Sequence, residues 1–568
     1  MRHLVQTLPT FLATIILLAC ASAGPRTESP AGPAREGARA GPPKRVTAAI
    51  QSDPGSLSGH VNPPGSGVPG LDVVETLVSA GLAIADSQSR LVPLLAEAVP
   101  SIENGLWKVM PDGRMETTWH IRSNAQWQDG TAFTASDLLF TALVEQDKAI
   151  DTLPKPAYDS VETIAAPDVR TLVITWRRPF IGADQVFNTP PLPRHVLEKP
   201  YLEDKATFGQ LPYWTQDMMS TGAFRVREFV GGSHALLEAS DKYVLGRPKV
   251  DEIEVRFIPD GNTLAANVLA GTVDVTLGRS LSLDEALPVR DRWPDGKMDL
   301  AFAGWLVVFP QFLNPSPAIV GNVQFRRALL HAIDRGQVAE TLMSGPVPMA
   351  HTFLSPSDPA YGAIEPEVVR YEYDTRRAAE LLDGLGYIRD GDGGYRDAAR
   401  QRLAVEIRVS SGRDLNMKTI FAIADYWQRL GLAAEPLVMP QQRARDREYV
   451  QTFPGFILYN QPNDINSLNR HLSSQTPLPE NNYVGNNNAR YISPEFDALI
   501  ERFFATIPTA ERTRVLGQVI HHMTENLNMM GLFYNVEPAL IANRLVSVTG
   551  RKGSEAFPTW NVQDWDVR

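Results

Sequence analysis

Trp119-His120-Ile121-Arg122 and, shortly after, Trp127-Gln128-Asp129-Gly130-Thr131-Ala132-Phe133-Thr134-Ala135-Ser136-Asp137 hold the pieces of an α/β unit in one short stretch. A strand-like run leads to an Asp-Gly pair, a strong short-range turn signal. Thr134 and Asp137 then stand three apart, the spacing of a capping box in which each side chain satisfies the other residue's backbone N–H. Strand, tight turn and helix are expected here in that order.

Outward from this stretch, strand-like and helix-like segments alternate, which argues for an α/β protein. Phe325, Ala328, Leu329, Ala332 and Ile333 fall on one helical face. A second helix is expected after Asp374, with Ala378, Ala379, Leu381, Leu382 and Leu385 apolar and Gly386 placed to end it. Ile420, Phe421, Ala424 and Trp427 make a similar stripe, as do Val515, Leu516, Val519, Ile520 and Met523. Strands are expected at 172–176, 253–257 and 403–409. Asp390-Gly391-Asp392-Gly393-Gly394 resembles the start of a calcium loop but lacks the acidic residue at the twelfth position, so it is taken as a turn.

A chain of 568 residues with 43% hydrophobic residues exceeds the size of one ordinary core, so at least two packed lobes are expected. The formal net charge of −11 argues against nucleic acid as a partner, because such binding needs clustered Lys and Arg to neutralise phosphates.

The only cysteine, Cys20, ends a run that begins with Arg2 and His3 and continues through the apolar segment 11–19, the outline of a secretory signal. That segment is about half the roughly 20 residues needed to span a bilayer, so residues 1–19 are expected to be removed. Leu17-Leu18-Ala19-Cys20 resembles the lipobox of bacterial lipoproteins, which implies lipidation of Cys20 and membrane attachment through the lipid alone. Residues 20–45, rich in Gly, Pro and Ala, are expected to form a disordered tether.

Several blocks together resemble one known family. The run Trp127–Asp137 is similar to that family's W-x-D-G-x-P-F-T-A-x-D segment, with Ala132 in place of Pro. Ser220-Thr221-Gly222-Ala223-Phe224 resembles its G-T-G-P-[YF] lead into a strand. Ala270-Gly271-Thr272-Val273-Asp274-Val275, Phe325-Arg326-Arg327-Ala328 through Ala332-Ile333-Asp334-Arg335, and Tyr373-Asp374-Thr375-Arg376-Arg377-Ala378 follow in the family's order. On these blocks the chain resembles the peptide/nickel-type, family 5, extracellular solute-binding proteins of ABC transporters, of which the oligopeptide- and dipeptide-binding proteins are members.

The resemblance implies an α/β fold like the type II periplasmic binding proteins, with two hinged lobes and an extra domain inserted in the first. Lobe I is expected at 46–70, 215–300 and 537–568, the extra domain at 71–214 and lobe II at 301–536. It also implies a monomer without cofactor that captures a small solute, by default a peptide, and delivers it to ABC permease subunits. The expected ligand contacts are Thr221, Trp305, Tyr459, Asn460, Asn463, Asp464 and Tyr534. Peptide receptors of this family often carry an Asp just before a Tyr-Asn pair, where it meets the peptide's amino group. Here the sequence is Leu458-Tyr459-Asn460, so Asp464 or Glu537 would have to substitute. Sugars, opines and a nickel complex held by His60 or His471 stay open as solutes, and no metal site built from protein ligands is expected.

An extracellular hydrolase is the main alternative, although no G-x-S-x-G elbow or P-loop is present. A sensor or chaperone-type receptor on the same scaffold is a second.

Overall fold

The computed structural model describes residues 42–568 apart from 62–69, 148, 151–155, 279, 344–346, 412–413, 444–445 and 551–557. The signal segment, Cys20 and all but the last few residues of the expected tether lie outside the described residues. The mixed α/β body is organised by one sheet of ten strands. They are β1 (Arg45–Ile50), β2 (Phe224–Val230), β3 (His234–Ala239), β4 (Glu252–Phe257), β5 (Val275–Thr276), β6 (Gly296–Pro310), β7 (Ala404–Ser410), β8 (Ala433–Met439), β9 (Phe456–Gln461) and β10 (Met530–Ala542). Their spatial order is β8-β7-β9-β6-β10-β5-β1-β4-β3-β2.

Two long antiparallel neighbours, β6 and β10, join the two halves of this sheet. Near Gly296, β6 pairs with the part of β10 that also bonds β5, through Val275 and Ile541. From Trp305 onward the same strand also pairs along its other edge with β9, Trp305 facing Gln461 and Pro310 facing Phe456, while its pairing with β10 continues to Val308. The β6–β10 register breaks between Phe302 and Gly304 and again between Leu306 and Val307. Such irregularities bend a strand and increase its twist, so the pair is not one stiff ribbon through the crossover.

Past the crossover, alternation along β6 and β9 builds a core on each face of the sheet, as a period of two requires. Leu306, Val308, Phe456 and Leu458 enter one cluster with α-helical cover from Phe325, Leu329, Ile420 and Trp427. Trp305, Val307, Phe309 and Ile457 enter the other, with Phe496, Ile500, Val519 and Met523. The opposite half of the sheet shares its core with residues of a separate four-stranded sheet made of Trp107–Val109, Met115–His120, Thr171–Trp176 and Val161–Asp168. Trp119, Trp127 and Trp176 are fully buried in that core.

The stretch at 119–137 folds as its sequence dictates. Gly130 N–H donates to Trp127 O at 2.9 Å to close the turn, and Ala135–Glu145 is a helix. Both halves of the Thr134–Asp137 capping box are made. Asp137 Oδ1 also accepts from Arg194 N–H at 3.1 Å, which ties the cap to the next segment. The strands expected at 172–176, 253–257 and 403–409 are present, as are helices over Asp414–Leu430 and Thr509–Asn526. The helix after Asp374 spans Thr375–Gly384, and Gly386 N–H bonds back to Asp383 O just beyond it.

The stripe from Phe325 to Ile333 is divided. One helix, Val323–His331, stops at Ala332, and a second, Arg335–Leu342, starts from Asp334, whose carboxylate accepts from Gln337 N–H at 2.9 Å. A strong N-cap there outweighs continuation of the apolar period.

Candidate functional site

The crossover gathers most of the residues expected at the ligand. Trp305 faces Tyr534 on one side and Gln461 on the other, with Leu306 opposite Asn460 and Val307 opposite Tyr459. A Cβ at Gly304 would stand 2.6 Å from Asn460 Oδ1, so only glycine lets that side chain lie across the crossover. Just beyond β9, Asn463 Nδ2 donates to Phe302 O at 3.2 Å, fixing the turn against the register break. Asp464 caps the following turn by accepting from Ser467 N–H at 3.1 Å, and burial pushes its carboxyl pKa up.

These residues differ in what they still offer. Asn460 Oδ1 and Asn463 Oδ1 are buried without a partner among the described residues. A buried acceptor left unmet costs about 1–3 kcal/mol, so each is suited to a donor from outside the chain. Trp305 and Tyr534 are 2% and 1% exposed and belong to a core cluster. The Tyr534 hydroxyl already donates to the carbonyls of Thr352 and Leu354. Tyr459 is half-buried, its ring near Phe309, and burial raises its phenol pKa.

Thr221 sits elsewhere. Its hydroxyl donates to Ala80 O at 2.8 Å and accepts from Ala80 N–H at 3.2 Å, just past the helix Leu71–Val78. Gly222 follows because a Cβ there would lie 2.1 Å from the Val78 carbonyl carbon. The two bonds hold one wall of a cavity of about 350 Å³ lined by Ser79, Ala80, Gln185, Asn188 and Tyr243, among others.

Residues 181–188 connect this cavity with the crossover turn, and sequence reading had no signal for them. Ile181 N–H donates to Phe504 O at 3.0 Å, and Asn466 Nδ2 donates to Gln185 Oε1 at 3.4 Å. Between those bonds Asp184 keeps one carboxylate oxygen, Oδ1, buried and unpartnered, and Asn188 does the same with its amide oxygen. Burial pushes the Asp184 carboxyl up to about 6, and the nearby Arg512 guanidinium offsets only part of that. Asp184, Asn188, Asn460 and Asn463 thus each keep an oxygen acceptor without a partner among the described residues, and Asp184 is the ionisable one.

The two histidines considered for a nickel complex point into protein. His60 Nε2 is 2.9 Å from Pro190 O, and His471 stacks on Phe309 while burial lowers its pKa to about 3. Among the described residues no cluster of three or more His, Cys, Asp or Glu is arranged to hold a metal ion. No described helix is long and apolar enough to cross a membrane.

A model of the middle region of the bacterial extracellular solute-binding proteins, family 5, matches residues 90–476. A Brucella ovis protein named as a candidate ABC transporter peptide-binding protein is 24% identical over 363 residues, 63% of this chain. The chain thus spans 63% of that relative's own length. The periplasmic oligopeptide-binding protein OppA of Salmonella typhimurium is 23% identical over 520 residues, covering 85% of this chain and 86% of OppA. The crystal structure of NikZ from Campylobacter jejuni in complex with Ni(L-His) superposes with a TM-score of 0.72 at 19% identity, covering 92% of this chain and all of NikZ.

Proposed function

Since the chain belongs to the bacterial extracellular solute-binding proteins, family 5, we propose that it is the solute-capturing component of an ABC importer and binds its cargo between two lobes without altering it. One observation carries this reading: the β6–β10 crossover, with its two register breaks, is bordered by the unpartnered oxygens of Asn460 and Asn463. Strands shared by two half-sheets and irregular at the crossing are suited to act as a hinge, and closure on solute shifts the population towards a form that docks the permease.

In this proposal lobe I comprises 46–70, 215–300 and 537–568, lobe II comprises 301–536, and 71–214 form the extra domain. Asn460, Asn463 and Asp464 come from lobe II, Asp184 and Asn188 from the extra domain, and Thr221 braces the wall near Ala80. Trp305, Tyr459 and Tyr534 support them from beneath. The oxygen-rich set favours a solute with an ammonium or several N–H donors, for which a peptide is the leading candidate. OppA is named for oligopeptides and NikZ was solved with Ni(L-His). The acceptor set here supports the peptide side of that pair. Asp184 is the carboxylate we assign to the ammonium, the role that Leu458 cannot fill.

A solute selective for the native state stabilises it by about 2.7 kcal/mol at a hundred times its Kd. Screening short peptides by thermal unfolding is expected to find such a shift, with the bound peptide recovered intact by mass spectrometry. A peptide recovered cleaved would instead support the hydrolase reading. Attachment through a lipid on Cys20 is part of the same proposal. Full-length protein is expected to pellet with membranes and Cys20→Ala to stay soluble, whereas pelleting of both would refute the anchor.

A further inference from the structure

A cavity of about 430 Å³ opens at the other end of the β6–β9 pair, beyond Pro310 and Phe456. Trp305 and Pro310 are five residues apart on β6, so at about 3.3 Å per residue the cavity lies roughly 17 Å along the strands from the crossover. Its walls include Leu313, Phe453, Leu478 and Pro479, with Asn314, Glu480, Tyr483 and Arg490 supplying the polar groups.

Arg490 sets its chemistry. The residue is 5% exposed, its Nε has no partner, and no carboxylate lies within ion-pair distance of it among the described residues. Burying a charge without a counter-ion is strongly unfavourable. The backbone on either side of Arg490 is fixed by a buried amide and by the bond from Arg490 N–H to Asn487 O at 2.9 Å. Asn487, itself 1% exposed, donates to Tyr491 O at 2.9 Å and to Thr476 Oγ1 at 3.2 Å and accepts from Tyr491 N–H, bracketing Arg490. Three residues lining the cavity adopt left-handed backbone without being glycine: Asn314 at φ 59°, Tyr483 at φ 55° and Arg490 at φ 54°. Strain of this kind gathers at ligand sites, where the surrounding structure imposes it.

The remaining polar groups select among anions. Tyr483 donates its hydroxyl to Glu448 at 2.9 Å, so the phenol is already engaged. Glu480 and Glu448 are both exposed near the opening, and they oppose a dianion such as phosphate. A single planar guanidinium fork matches a planar carboxylate, and the apolar walls suit an apolar body behind it. We propose that this cavity is a second ligand site, separate from the solute site, that binds a small monocarboxylate through Arg490.

The test is calorimetric titration of the full chain with benzoate and with benzamide, its uncharged isostere. Benzoate is expected to bind at least ten-fold more tightly than benzamide. Arg490→Gln is expected to lower benzoate affinity at least ten-fold, and Asn460→Leu at the crossover to leave it unchanged. The isostere comparison needs no variant and decides the matter if Arg490→Gln fails to fold. Equal binding of the two probes, binding of neither, full benzoate affinity in Arg490→Gln, or loss of benzoate binding in Asn460→Leu would each overturn the assignment.

Discussion

Trp305→Ala is expected to lower the unfolding free energy by about 3–5 kcal/mol, the usual loss for a buried tryptophan truncated to alanine. The indole is 2% exposed and packs in the cluster that contains Val307, Phe309 and Tyr534. It also stands on β6 between its two register breaks, so the void would open where the half-sheets join. Urea denaturation measures the effect, and Trp305→Phe is expected to recover more than half of it. If Trp305→Ala unfolded within 1 kcal/mol of wild type yet bound solute weakly, Trp305 would be a wall of the solute site and not a support beneath it.

Asp184→Asn is expected to weaken an ammonium-bearing solute on the order of 10- to 100-fold at pH 7.5, since a hydrogen bond to a charged group contributes roughly 1.5–3 kcal/mol. In the empty protein the Asp184 carboxyl is raised to about 6 by burial. Ammonium capture needs the carboxylate, so wild-type affinity should fall as pH drops below about 6, by up to about ten-fold per unit. Asp184→Asn should lose that dependence.

The stability of the empty protein has the opposite sign. A carboxyl raised by folding holds its proton while the unfolded chain, near pH 4, has released its own. The Asp184 contribution is therefore fully present below about pH 4 and is lost as pH rises to about 6. Arg512 is the charged group facing Asp184, and burial lowers its own pKa. A pH-independent affinity, or unchanged binding by Asp184→Asn, would remove Asp184 from the ammonium role.

How legible each feature was in the sequence follows from the range of the interactions that make it. The capping box of Thr134 and Asp137, the turn at Gly130 and the cap at Asp374 are settled within a few residues, and all are present. The divided helix near Ile333 shows a local contest that periodicity alone decides wrongly, since the Asp334 cap is equally local. The crossover depends on β6 finding both β9 and β10, and no local pattern in Gly296–Pro310 marks where β9 joins it.

The site divides along the same line. The family resemblance points to Tyr459, Asn460, Asn463 and Asp464, which are consecutive or nearly so on one strand and its turn. Whether Trp305 and Tyr534 face a ligand or a core depends on which face of the sheet they occupy, and a one-residue change of register would reverse it. Asp184 and Asn188 lie in a segment with no motif. That segment is held by bonds from Ile181 to Phe504 and between Gln185 and Asn466, far along the chain, and Asn188 packs against Gly81.

In the proposed function a hinge at the β6–β10 crossover closes two lobes on an unaltered solute. Small-angle X-ray scattering of the protein with and without a peptide found by the thermal screen tests it most directly. The radius of gyration is expected to decrease when the peptide is added, with the peptide recovered whole from the same sample. An identical scattering profile in the two states, at peptide concentrations that saturate the thermal shift, would contradict the hinge.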